Sequence, residues 1–147
     1  MFFREYNGDI IALNDAYIIV NCVPVSLHKS SLTLYFLKYF PQMFKGIKSP
    51  KIGECFGYSD RQNRRSIINI VTKKTARSRF SYENLQKALY SLKSLCVSKN
   101  IRRIVFPMFH AVENDINYSR YVYLLRGVFH DTNIEVAVCF LDNPPTS

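Results

Sequence analysis

The sequence predicts an α/β domain built on a mixed sheet, and three observations carry that prediction. Short apolar runs rich in Val, Ile and Phe alternate with segments of helical length and period. Several of those runs are apolar almost without a break, as in strands covered on both faces. The first strand and its short connections favour a mixed sheet over a purely parallel one.

The elements follow in order. "MFFREY" reads as a strand that ends at the turn signal Asn7-Gly8-Asp9. "AYIIVNCV" is the first doubly buried strand. "SSLTLYFLKYF" has helical length, Ser30 or Ser31 to cap it and Pro41 to stop it. "GECFGYSD" is a weaker strand, and "RSIINIVTKK" a stronger one with many β-branched residues. In "SYENLQKALYSLKSLCVSKN", Leu85, Ala88, Leu89, Leu92, Leu95 and Cys96 repeat at helical spacing, with Ser81 as N-cap and Glu83 in the first turn. "IRRIVF", "YSRYVYLLRGVFH" and "IEVAVCFL" complete the chain as strand, helix and strand. One domain is expected over residues 1–142, with a polar tail at 143–147. A chain of 147 residues is long enough to bury roughly 70% of its unfolded surface.

Composition narrows the function classes. Hydrophobic residues make up 48% and aromatics 14%, enough for a packed core. No apolar run approaches the ~20 residues that span a bilayer. The N-terminus meets an acidic residue and an Asn-Gly turn before any apolar stretch, which reads against a secretory signal. An intracellular protein, cytoplasmic or nuclear, is expected. Cys22, Cys55, Cys96 and Cys139 form no C-x-x-C pair, and three lie in apolar runs. They are expected to be buried reduced thiols, with zinc or a disulfide framework as the alternatives.

The net charge of +9 suits a polyanion or a phosphate-bearing ligand. Arg61, Arg64, Arg65, Lys73, Lys74, Arg77 and Arg79 fall in one stretch without an acidic residue. That stretch either marks an anion-binding face or is a solvated basic surface. Tyr58, Phe80 and Tyr82 flank it and are either base-stacking rings or core, with core favoured for Phe80.

Several segments, in order and over nearly the whole chain, resemble a macrodomain. The branch is that of terminal ADP-ribose protein glycohydrolase and the antitoxin macrodomains that remove ADP-ribose from DNA. "NGDIIALNDAYIIVNCV" is similar to the family's opening, with Asn21 before Cys22 at the strand end. "LTLYFLKYFPQMF" looks like its first long helix. The most specific match is "INIVTKKTARSRFSYENLQ", a strand, Thr-Lys-Lys, a basic loop, then Tyr-Glu-Asn-Leu-Gln. "IRRIVFP" and "IEVAVCFL" fit the last two strands.

The resemblance implies a three-layer α/β/α sandwich with a roughly six-stranded mixed sheet and an ADP-ribose cleft at the strand C-termini. It implies that Asp9 accepts a hydrogen bond from the adenine amino group while the Ile10 amide donates back, and that Lys73 is the catalytic nucleophile. Asn21, His28, Lys29, Ser30, Ser31, Pro107, His110, Ala111, Val112 and Glu113 fall where the ligand would be held. No cofactor and no metal are implied.

The sequence departs from the family in both phosphate loops. "HKSS" at 28–31 lacks the glycines of the first. In "FHAVEN", His110 and Val112 replace the glycines of the second, and Asn114 stands where the family has an aspartate. Glycine admits φ > 0 and close approach to a pyrophosphate; valine does so poorly. Asparagine cannot serve as a general base. The expectation is a divergent module that binds ADP-ribose or an ADP-ribosylated target with weak or no hydrolysis. One alternative is an active glycohydrolase using Lys73 with Asp115 or Glu113. The other is an adaptor that has lost ADP-ribose and binds nucleic acid through Arg61, Arg64, Arg65, Lys74, Arg77 and Arg79, or binds a protein.

Overall fold

The computed structural model describes residues 1–14, 16–62, 64–109 and 116–141. Six strands and three helices follow one another as β1 (Phe2–Asn7), β2 (Ile18–Pro24), α1 (Ser31–Leu37), β3 (Cys55–Asp60), β4 (Arg65–Lys73), α2 (Tyr82–Ser98), β5 (Arg103–Phe109), α3 (Tyr118–Phe129) and β6 (Glu135–Leu141). The sheet order is β1-β6-β5-β2-β4-β3. All neighbours are parallel except β3, which runs antiparallel to β4. The mixed sheet is therefore as expected.

Alternation along each strand feeds two cores. Val20, Ile68, Ile70 and Ile104 face α2 and α3, where they meet Leu85, Leu89, Leu92, Leu125 and Phe129. Ile19, Ile67 and Val105 face the opposite side and meet Ile10, Phe36, Phe40 and Met43. The result is three layers, with α2 and α3 on one face and α1 and its flanking turns on the other.

The termini of the helices are specified locally. Ser81 caps α2 by accepting from Asn84 N–H at 3.1 Å, and Ser30 caps α1 by accepting from Thr33 N–H at 3.2 Å. Helix α2 ends in a reciprocal C-cap. Asn100 N–H donates to Val97 at 3.3 Å and Ile101 N–H to Cys96 at 2.8 Å, with Asn100 at φ 55°. Helix α1 is shorter than its apolar stretch suggests and stops at Leu37. Lys38 and Tyr39 donate to Tyr35 and Phe36, three residues back, which tightens the last turn ahead of Pro41.

Two expectations are corrected. Cys96 and Cys139 are buried, but Cys55 is half-buried and Cys22 exposed. Cys22 lies on the part of β2 that has run past its ladder with β5, so a strand position there does not guarantee cover. The basic stretch does not make one face. Arg61, Arg64 and Arg65 lie at the N-terminal end of β4, and Lys73, Lys74, Arg77 and Arg79 at and beyond its C-terminal end. Eight strand steps separate the two groups by about 26 Å. Among the described residues, no helix is long and apolar enough to cross a membrane, and no group of three His, Cys, Asp or Glu is placed to hold a metal ion.

Candidate functional site

The parallel strands β1, β6, β5, β2 and β4 all end at the same edge of the sheet. Within that edge, β2 and β5 part. Their ladder holds only Ile18–Ile104 and Ile19–Val105, whereas β5 and β6 stay paired from Arg103–Glu135 to Phe109–Leu141. The chain leaves β2 toward α1 on one face and leaves β5 toward α3 on the other. Adjacent parallel strands whose connections diverge in this way form the switch-point crevice where open α/β sheets bind ligands. Pro107, which has no amide hydrogen, falls on the stretch of β5 beyond its ladder with β2.

One rim of this edge follows β1. Gly8, at φ +116°, turns the chain, and Asp9 caps a single 3₁₀ turn over Ile10–Ala12. The exposed Asp9 carboxylate accepts from Ile11 N–H at 3.0 Å and from the Tyr35 hydroxyl at 2.6 Å, both on Oδ1. The Ile10 side chain is fully buried and anchors the turn. Arg65 holds it from beneath, its guanidinium donating to the carbonyls of Ile10, Ile11 and Leu13. Burial, and then its bond to Asp9, pushes the Tyr35 phenol well above the usual tyrosine range.

A second rim follows β2. Val25 N–H donates to Lys73 C=O at 2.8 Å, Ser26 N–H to Lys74 C=O at 3.3 Å, and Leu27, at φ 56°, closes a turn onto Pro24 at 2.9 Å. His28, Lys29, Ser30 and Ser31 are exposed beyond that turn. From Ser30 a polar chain runs into the core. Ser30 Oγ donates to Thr33 Oγ1 at 3.2 Å, which also accepts from Asn21 Nδ2 at 3.2 Å, and Asn21 Nδ2 in turn donates to Asn69 Oδ1 at 3.0 Å. Asn21 is only 2% exposed, so it braces the start of α1 from within the core.

The third rim follows β4. Lys73 is half-buried, and its Nζ donates to Ala76 C=O at 3.1 Å. Thr75 and Ser78 close the turn, with Thr75 N–H donating to Ser78 Oγ at 3.0 Å. Tyr82 then ties this side to the next. Its hydroxyl accepts from Asn117 N–H at 2.8 Å, and the Arg120 guanidinium lies 4.1 Å over its ring.

Solved structures share this fold. No protein-family model matches the chain. It is 30% identical to human (Homo sapiens) ADP-ribose glycohydrolase OARD1 over 74 residues, which is 50% of this chain and 49% of that one. It is 24% identical to the Bos taurus protein of the same name over 132 residues, 89% of this chain and 86% of that one. The first match thus spans about half the length of the relative. The macrodomain of Mycobacterium tuberculosis DarG superposes with a TM-score of 0.80 at 21% identity, covering 99% of each chain. That of Thermus aquaticus DarG gives 0.80 at 20%, covering 93% of this chain and 97% of that one. Thermosipho africanus DarTG in complex with ADP-ribose gives 0.74 at 12%, over 93% of this chain and 41% of that one.

This chain has the macrodomain fold. Its likenesses lie with OARD1 and DarG, the branch that the Thr-Lys-Lys and Tyr-Glu-Asn-Leu-Gln stretch points to. Of the residues singled out from sequence, the macrodomain brings Asp9, Ile10, His28, Lys29, Ser30, Ser31, Lys73 and Pro107 to one end of the sheet. Asn21 is there too, but enclosed. His110, Ala111, Val112, Glu113, Asn114 and Asp115 lie outside the described residues.

The basic stretch left Arg65 open between an anion-binding face and a solvated surface; Arg65 is instead a buried clamp on the 3₁₀ turn. Tyr58 packs edge-on against Phe40, and Phe80 edge-on against Tyr82, at 6.4 and 4.8 Å between ring centres. The Arg120 guanidinium lies over the Tyr82 ring. Tyr35 was missed. Its signal was an aromatic residue on an otherwise apolar helix, which is indistinguishable from core until Asp9 is seen beside it.

Proposed function

We propose that this macrodomain binds ADP-ribose or an ADP-ribosylated target and hydrolyses it weakly or not at all. The observation that carries the reading is the parting of β2 and β5 at the switch point, with Asp9, Lys29 and Lys73 at the same end of the sheet. A crevice with a carboxylate on one rim and cations on the others suits a ligand with a base amine at one end and a diphosphate in the middle. The T. africanus DarTG structure, with the same fold, is a complex with ADP-ribose.

Weak or absent turnover rests on two features of this chain. By the resemblance, Asn114 stands where the family has an aspartate, and its amide cannot accept or hold a proton as a carboxylate does. Lys73 Nζ is engaged with the Ala76 carbonyl and must leave it to reach a sugar carbon. The retention of Lys73 at the end of β4 favours active hydrolysis as a second reading. There, Nζ would form a C–N bond at the anomeric carbon as the bond to the target's oxygen breaks, the oxygen keeping the electron pair, and water would later release the sugar.

Calorimetric titration with ADP-ribose at moderate salt tests the proposal. Binding that Asp9→Ala weakens at least about tenfold supports it. Silence at millimolar ligand overturns it. Release of ADP-ribose from a modified substrate by the wild type, lost in Lys73→Ala, would favour the second reading.

A further inference from the structure

We infer that Tyr35 is a positioning residue that sets which purine the site accepts, by fixing the Asp9 carboxylate with one oxygen turned to the ligand. The inference rests on the ADP-ribose reading and deepens it. Both hydrogen bonds to Asp9 from the described residues fall on Oδ1, from Ile11 N–H at 3.0 Å and Tyr35 O–H at 2.6 Å. Oδ2 receives none from those residues, and the carboxylate is exposed. The Ile10 N–H, first in the 3₁₀ turn, likewise has no acceptor among them. An acceptor and a donor therefore stand on consecutive residues at the rim.

Without a second donor, the carboxylate could turn about its Cβ–Cγ bond and exchange its oxygens. The phenol prevents this because it is itself held. Its ring meets Tyr39 edge-on at 5.5 Å between centres and Phe36 at 5.9 Å, and Phe36 is fully buried in the core. Rigidity thus passes from the core through Tyr35 to Asp9 Oδ1, and so to Oδ2. The Tyr35 hydroxyl faces Asp9 as a donor, and the ionised carboxylate is an acceptor only. A base bearing an exocyclic amine can donate to Oδ2. A base bearing an oxo group there presents a second acceptor, and the two lone pairs repel.

The test is calorimetry with ADP-ribose and its hypoxanthine counterpart, inosine diphosphate ribose, on the whole chain. The wild type should prefer ADP-ribose about tenfold or more. Tyr35→Phe should weaken ADP-ribose by about tenfold, leave the hypoxanthine ligand nearly unchanged, and so narrow the preference. In an Asp9→Ala background, Tyr35→Phe should cost nothing further, because the phenol acts through the carboxylate. Tyr35→Phe binding both ligands as the wild type does, or losses that simply add in the double variant, would overturn the inference alone. A wild type that binds neither ligand overturns it together with the reading beneath it.

Discussion

The main-chain amide of Val25 donates to the carbonyl of Lys73 at 2.8 Å, so the loop after β2 and the end of β4 are a single piece of framework. The bond uses only backbone atoms. It places the candidate nucleophile and the His28–Ser31 segment in fixed relation whatever their side chains are.

Lys73→Ala should therefore separate site from fold. The variant keeps the Val25 bond and loses only the exposed contact from Nζ to the Ala76 carbonyl. A hydrogen bond of that kind contributes about 1 kcal/mol or less. The thermal midpoint should shift by a few degrees at most, while ADP-ribose affinity falls by about tenfold as a cation leaves the diphosphate. Melting curves and calorimetry on the same sample check both halves.

Arg65 should behave in the opposite way. It is 8% exposed and serves the carbonyls of Ile10, Ile11 and Leu13. Arg65→Met leaves those acceptors without their donor, a loss of about 2–4 kcal/mol. Urea denaturation should show the drop with the slope unchanged. Because the 3₁₀ turn carries Asp9, ligand affinity should also weaken although Arg65 touches no ligand. Arg65→Lys should recover part of the stability, since one ammonium cannot span three carbonyls as a guanidinium does.

The contrast between Lys73 and Arg65 explains what the sequence could and could not convey. All six strands and three helices are legible, because period, caps and breakers are local properties: Ser81 before Leu85, Ala88 and Leu89 is enough to place α2. The family resemblance adds the sheet edge that carries both Asp9 and Lys73, several strands apart. Arg65 is illegible, because its partners lie 52 to 55 residues away in a turn no pattern foretells. The basic stretch, left open between one face and a solvated surface, divides for a related reason. Neighbours along a strand sit at opposite ends of the sheet once that strand spans it. The exposure of Cys22 depends on where β5 parts from β2, which is a property of the pair and is written in neither strand.

Asn100 offers a test of backbone strain, its side chain adding an exposed bond from Arg102 Nε at 3.3 Å. It occupies the left-handed position of the α2 C-cap at φ 55°, and the two capping bonds need that conformation. Asn100→Gly should raise stability by a few tenths to about 1 kcal/mol, since glycine adopts φ > 0 without steric cost. Asn100→Val should lower it by about 1–2 kcal/mol. The site is at the far end of the sheet, so neither change should alter ligand affinity. Chemical denaturation beside a single binding isotherm for each variant decides the matter.

The cysteines give a prediction in which pH has a definite sign. Burial raises the Cys96 thiol to about 12 and the Cys139 thiol to about 11, from an ordinary value of 9.0, with Cys55 also raised by burial. In the unfolded chain these thiols ionise near their ordinary value, while in the fold they stay protonated. Their contribution to stability is therefore complete below about pH 9 and is lost as pH rises from there toward 11–12. Stability against urea should decline over that range, and Cys96→Ala should flatten the decline even though it lowers stability at neutral pH by opening a cavity. At pH 8 a disulfide-exchange reagent should modify Cys22 quickly, Cys55 slowly, and Cys96 and Cys139 only as fast as the chain unfolds. Cys22 lies on β2 where the strand has left β5, so saturating ADP-ribose should slow its modification at least severalfold and leave the other three rates unchanged. Equal rates with and without the sugar nucleotide would place the ligand away from the β2–β5 crevice.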